Sequence, residues 1–180
     1  MKKINYFIVL ILSIITCSCR VDKPDCHYHI PFTNNSYHAV YVDYDAKYWY
    51  TLLPHFRDTI LHSYYLDPSL SPDWYKTNPG EENNAVMNQD TPWERTFEYE
   101  LDTLLVFVFN ADTLETRGWD YVRENYKVEQ RYDLILEDLQ RIGFRLSFPP
   151  DSTMKHIHMW PPYGTYDEHG HRKDKEQIIP

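Results

Sequence analysis

Six consecutive apolar residues, Leu104-Leu-Val-Phe-Val-Phe109, constrain this chain more than any other stretch. The run is β-branched and aromatic and too short for a buried helix, so it predicts a strand covered on both faces. Such a strand belongs at the centre of a sheet, with packed layers above and below. Much of the flanking sequence is also strand-like. His27 to Phe32 alternates, with Tyr28, Ile30 and Phe32 on one face and His27 and His29 on the other; Val40 and Val42 open a second alternating run through Tyr44. The turn residues Thr33-Asn34-Asn35-Ser36 between them predict a β-hairpin. Lys47 to Leu53 is a further strand candidate, Phe144, Leu146 and Phe148 alternate up to Pro149-Pro150, and Lys155 to Met159 predicts a last short strand.

The period changes from Asn110 to Gly143. Trp119, Val122 and Tyr126 fall at i, i+3 and i+7, and Leu136, Leu139 and Ile142 recur at threes, which predicts two short helices. Asp133 is the expected N-cap of the second and Gly143 its C-terminal stop. Asp133, Glu137 and Asp138 then lie in the early turns, where the helix dipole favours acids. The expected fold class is α+β, mainly antiparallel β, a sandwich-like sheet with two short helices inserted before a late strand. Pro54 to Asp90 is poorly periodic, with Pro68, Pro72 and the turn Asn78-Pro79-Gly80, and predicts long loops around one or two short strands.

A chain of 180 residues has room for one domain, and 42% hydrophobic with 25% charged residues is a globular balance. A net charge of −9 disfavours a nucleic-acid partner, and only 5 glycines argue against a Gly-rich nucleotide-binding loop. The N-terminus reads as an address. Lys2 and Lys3 precede an apolar run from Tyr6 to Ile15, too short to span a bilayer and arranged like a secretory signal. It ends in Thr16-Cys17-Ser18-Cys19, which resembles the lipobox of bacterial lipoproteins. There the cysteine after a small residue receives the lipid, and Cys19, preceded by Ser18, fits better than Cys17. A cleaved signal without lipid and an uncleaved anchor are the alternatives. Cleavage removes no acid, so the mature chain is more acidic still. If Cys19 carries a lipid, Cys26 stands alone and no disulfide framework forms; beside His27 it reads as a tether residue rather than an activated thiol. The expected organisation is a signal peptide over 1–18, a lipid-anchored tether over 19–25, one β-rich domain over 26–162 and a polar, disordered tail over 163–180.

Asp102-Thr-Leu-Leu-Val-Phe-Val-Phe-Asn-Ala-Asp-Thr-Leu-Glu115, the Trp119 helix, Arg131-Tyr-Asp-Leu-Ile-Leu-Glu-Asp-Leu-Gln140, Phe148-Pro-Pro150 and the opening Ile30-Pro-Phe-Thr-Asn-Asn-Ser36 with Val40-Tyr-Val42 together resemble a family of uncharacterised Bacteroidetes lipoproteins. The resemblance spans Cys26 to Pro162, with Pro54 to Asp90 its weakest part. It implies an exported, lipid-anchored, β-rich domain and carries over no catalytic residue. It also gives meaning to Asp58-Thr59-Ile60, Asp102-Thr103-Leu104, Asp112-Thr113-Leu114 and Asp151-Ser152-Thr153. These are similar to the Asp-Ser/Thr-apolar sites at which such bacteria O-glycosylate exported proteins, which would place sugar on Thr59, Thr103, Thr113 and Ser152. The last departs from the pattern at Thr153, and Asp-Thr is also ordinary turn and cap chemistry.

Two constellations could carry chemistry. His27/His29 and His156/His158 are His-x-His pairs, and on strands each pair points one way. Were the two strands neighbours, four imidazoles could meet on one sheet face and hold zinc. Otherwise they are polar residues on outward strand faces; a third pair, His169/His171, falls in the expected tail. No other cofactor is expected. The second constellation is aromatic: Trp74, Tyr75, Trp160 and Tyr163 lie in loop-like sequence and could stack on glycans, or serve as core of a Gly-poor β domain. No nucleophile elbow, phosphate loop or His-Glu-x-x-His motif is present. The sequence therefore points to a non-enzymatic binding or interaction module, held to a bacterial envelope membrane by its N-terminal lipid. Its expected place is the outer membrane, facing the periplasm, and its expected partners are a glycan or another envelope protein. The alternative is a glycan-active or metal-assisted hydrolase using the histidines or a carboxylate pair.

Overall fold

The computed structural model of the protein describes residues 26–46, 75–99 and 101–173. They form an α+β fold dominated by two sheets, as the sequence predicts. The strands are β1 (Phe32–Asn34), β2 (Val40–Ala46), β3 (Lys76–Thr77), β4 (Glu82–Asn83), β5 (Leu104–Asn110), β6 (Gln130–Leu134), β7 (Leu146–Phe148) and β8 (His158–Trp160). Four short helices join them: α1 (Trp93–Tyr99), α2 (Ala111–Arg117), α3 (Trp119–Glu124) and α4 (Leu136–Arg141). The larger sheet has the order β3-β2-β5-β6-β8 with every pairing antiparallel. The smaller has the order β4-β1-β7, in which β1 runs antiparallel to β4 and parallel to β7.

The apolar run is the central strand, β5, and both its faces are covered. Leu104, Val106 and Val108, with Val40, Val42, Tyr132 and Leu134, meet Phe32, Leu146 and Phe148 of the small sheet in one core. On the other face Phe107 and Phe109, with Tyr41, meet Ala111 and Leu114 of α2 and Val122 of α3. An aliphatic-aromatic run of this kind has no polar face to offer water, so it folds only where two layers close over it. The Asn110 side chain starts α2 by accepting from Thr113 N at 2.9 Å. A single residue thus ends the central strand and turns the chain onto its own outer face.

Several sequence expectations are corrected, and two strands are displaced: residues 27–31 precede β1 and residues 155–157 precede β8. The β1–β2 hairpin does not form. Thr33 and Asn34 belong to β1, and Asn34 is fully buried as a knot rather than a turn. Its Nδ2 donates to His38 O and Thr77 O at 2.8 and 2.9 Å, and its Oδ1 accepts from the Ser36 amide and hydroxyl. A buried amide with these partners fixes an exit between sheets, and β1 and β2 enter different ones. Residues 130–134, expected within the helical stretch, are β6; the alternation Gln130-Tyr132-Leu134 inward was masked because its first inward residue is polar. Asp133 is consequently a strand residue and caps nothing; the Ile135 amide donates to Asp138 instead. Gly143, with φ +64 just past α4, does end that helix. Helix α1 went unforeseen, although buried Trp93 and the acid Glu94 mark its first turn.

The last correction concerns the tail. Residues 163–173 are folded back on the domain: Thr165 is buried, the Tyr37 amide donates to His169 O at 2.9 Å, and the Tyr166 hydroxyl donates to Glu129 O at 2.8 Å. The strand expected over Lys47 to Leu53, much of the loop after it, and residues 174–180 lie outside the described residues.

Two tyrosines tie these layers together. The Tyr132 hydroxyl, fully buried, donates to Ser147 O at 2.7 Å across the two sheets, and burial pushes its ionisation well above the ordinary value. Tyr166 is pushed up to about 12, first by burial and then by Glu129. An unfolded tyrosine ionises near ~10, so above that pH the unfolded chain sheds protons that the folded one keeps. The stability these hydroxyls contribute is whole below ~10 and falls as the pH rises through the folded values. Denaturant midpoints should therefore drop between pH ~10 and about 12 together with the rise of phenolate absorbance, and Tyr166→Phe should flatten part of that slope.

Candidate functional site

The folded-back segment builds one wall of a concave surface. A cleft of about 410 Å³ opens between the chain leaving β7, Pro149 to Ser152, and the loop Tyr163 to Glu168, with Asn35 and Lys173 completing its lining. That volume falls within the ~300–1,000 Å³ usual for ligand clefts.

Both walls are fixed by local chemistry. On one side Asp151 accepts from the amide and hydroxyl of Thr153 at 2.7 and 2.6 Å, which starts a 3-10 turn over Ser152–Met154. Opposite, Asp167 Oδ1 accepts from the amides of His169 and His171, both at 2.9 Å. The His171 amide, then that of His169, holds the Asp167 carboxyl below the usual carboxylate range. The Asp167 amide donates to His171 O and the Lys173 amide to Thr165 O, both at 2.9 Å, which closes a small hairpin. This hairpin is clamped to the domain by Tyr37, whose ring stacks on His171 at 4.3 Å, and by Tyr166, whose ring meets Phe148 edge-on at 5.3 Å. Asp167-Glu168-His169-Gly170 has the Asp-first, Gly-fourth signature of a type I turn, and that was the available sign that the tail is structured.

Tyr163 is the predicted aromatic that reaches the cleft, 43% exposed. Trp160 is 46% exposed but stands on edge strand β8, its ring 5.7 Å from that of Tyr126. Tyr75 is half-buried against both cores and is no open platform; burial and then Asp43 push its hydroxyl up. Trp74 lies outside the described residues, as do Cys19 and Thr59. Ser152 is exposed at the cleft, whereas Thr103 and Thr113 are half-buried beside β5 and in α2.

The histidines are not brought together. His27 and His29 precede β1 of the small sheet, while His156 and His158 lie before and on β8, the edge of the large one. His27 Nδ1 stands 2.6 Å from Glu94 Oε1 and its ring stacks on Phe144 at 3.8 Å. His158 Nδ1 stands 2.8 Å from Asp133 Oδ2, His29 bridges Asn88, and His156 is exposed. His38, which the pattern did not single out, stands 2.7 Å from Glu129. Glu94 lies on α1, Asp133 on β6 and Glu129 just before β6, so His27, His158 and His38 make separate cross-links. Among the described residues no group of three or more His, Cys, Asp or Glu could hold a metal ion. Nor is any helix among them long and apolar enough to cross a membrane.

No protein-family model matches the chain, and neither the curated proteins nor the solved structures contain a match to it.

Proposed function

We propose that this protein is an exported, lipid-anchored binding module of a bacterial cell envelope that presents the cleft between Pro149–Ser152 and Tyr163–Glu168 to a ligand. The cleft is the observation that carries the reading. Its two walls are stiffened by side chains bonding to their own turns, so little ordering entropy remains to be lost when a ligand enters. The address at residues 1–19 supports the anchor, because a short apolar run behind two lysines ends at a cysteine that follows a small residue.

Cys19 is the lipid attachment residue in this reading. The full chain, expressed in a bacterium fed labelled palmitate, should carry the label and sediment with membranes. Cys19→Ala should lose the label entirely and shift to the soluble or uncleaved fraction. Cys17→Ala should leave both unchanged. Equal labelling of wild type and Cys19→Ala would sink the anchor assignment.

A further inference from the structure

We infer that the cleft is a site for a neutral saccharide, with Tyr163 as its stacking platform; this rests on the binding reading above and names the ligand class. A sugar ring offers a C–H face and a rim of hydroxyls, and it needs a flat apolar surface flanked by planar polar groups. The cleft supplies both. Tyr163 is half-exposed, Pro149 and Pro150 extend the apolar wall, and the Asn35 amide lines the opening with the carboxylates of Asp151 and Glu168.

The charges select against anionic ligands. Three carboxylates line the cleft against one amine, Lys173, which disfavours phosphate, sulfate and nucleic acid. Yet the Asp167 carboxylate is already engaged by the His169 and His171 amides and the His171 ring, and Asp151 Oδ1 by Thr153. Those bonds fix the two carboxylates without neutralising them, so the lining stays net acidic with Lys173 as its one amine and repels an anion. Ionised carboxylates that accept bonds from their own turn retain lone pairs for a ligand's hydroxyls. An amphipathic aromatic beside such acceptors suits a ligand that is itself apolar on its faces and polar around its rim.

The test uses the full chain in detergent micelles and equilibrium dialysis against maltotriose, cellotriose, xylotriose, mannotriose and the trimer of N-acetylglucosamine. At least one should bind saturably. Tyr163→Ala should weaken that binding ten-fold or more and Asn35→Ala by a smaller factor, while Trp160→Ala leaves it unchanged. Both substituted residues of the cleft are exposed, and circular dichroism should verify that the variants fold. If none of the five trimers binds, or if Tyr163→Ala binds as wild type does, the saccharide assignment is overturned. Palmitate labelling of the same preparation separates the two readings, since a labelled, membrane-bound protein that ignores every trimer refutes the ligand class alone.

Discussion

Tyr132→Ala is expected to destabilise the protein by ~3–5 kcal/mol, the range for removing a fully buried aromatic side chain. The ring is wholly inaccessible on β6 and stands in the core between the sheets, so truncation leaves a cavity lined from both sides. Total stabilities of ~5–15 kcal/mol are usual, so a loss of that size brings the variant to the edge of unfolding. Tyr132→Phe isolates the hydroxyl. It keeps the ring and removes only the bond to Ser147 O, leaving a buried carbonyl without that donor, at an expected cost of ~1–3 kcal/mol. Urea unfolding of the two variants beside wild type measures both. Equal losses in the two would mean that the cross-sheet bond, not packing, dominates at this position. No loss in either would contradict the placement of β6 in the core.

Gly170→Val should release the terminal hairpin. Gly170 has φ +83, a conformation that costs an L-residue roughly 1–2 kcal/mol. A Cβ built there would also stand 2.6 Å from Ser36 Cβ and 3.2 Å from Ser36 Cα, a clash partly with backbone. Overpacking adds ~1–3 kcal/mol. Gly118→Val is the control, because its φ is +79 but no heavy atom lies within 4 Å of a built Cβ. Trypsin cleavage after Arg172 and Lys173 should accelerate strongly in the Gly170 variant and little in the Gly118 variant. Similar cleavage in both would mean that the hairpin is not seated on Ser36. Because this hairpin forms one wall of the cleft, the Gly170 variant should also lose ligand binding without any change to a lining side chain.

Period and run length made the layers legible. The run Leu104 to Phe109 announced a strand with two covered faces because nothing in it could face water, and Phe144 to Phe148 announced β7 by alternation ended at two prolines. The polar residues that tertiary contacts placed inside were the illegible part. Gln130 breaks the apolar alternation of β6, yet it is fully buried because its amide donates to Pro161 O at 2.9 Å. Asn34 and Ser36 read as a solvent-exposed turn, yet both are buried because each bonds within one knot. At the site, Tyr163 could be picked out by its composition and position. Its cleft could not, because the opposite wall comes from the chain after β7 and from Asn35, joined to it only by the fold. The histidine pairs failed for a related reason. Spacing puts two imidazoles on one face only along a strand, yet His27 and His29 precede β1 and His156 precedes β8, and here the carboxylates of Glu94 and Asp133 engage one imidazole from each pair.

The parallel pairing of β1 with β7 sets a timetable for the chain's birth. Phe32 can pair with Asn83 of β4 early, but it finds its β7 partner only when Leu146 has been made. A ribosome adds ~5–20 residues per second, so the first strand waits on the order of ten seconds with its inner edge open. Through that interval the nascent chain carries a strand with one edge open and, behind it, the apolar run of β5, both of which invite association with other chains. Contacts so distant in sequence also slow the final closure, since loop entropy must be overcome before they form. A holding chaperone during synthesis follows from this topology, and shortening the wait by circular permutation, with β7 placed ahead of β1, should raise the soluble yield.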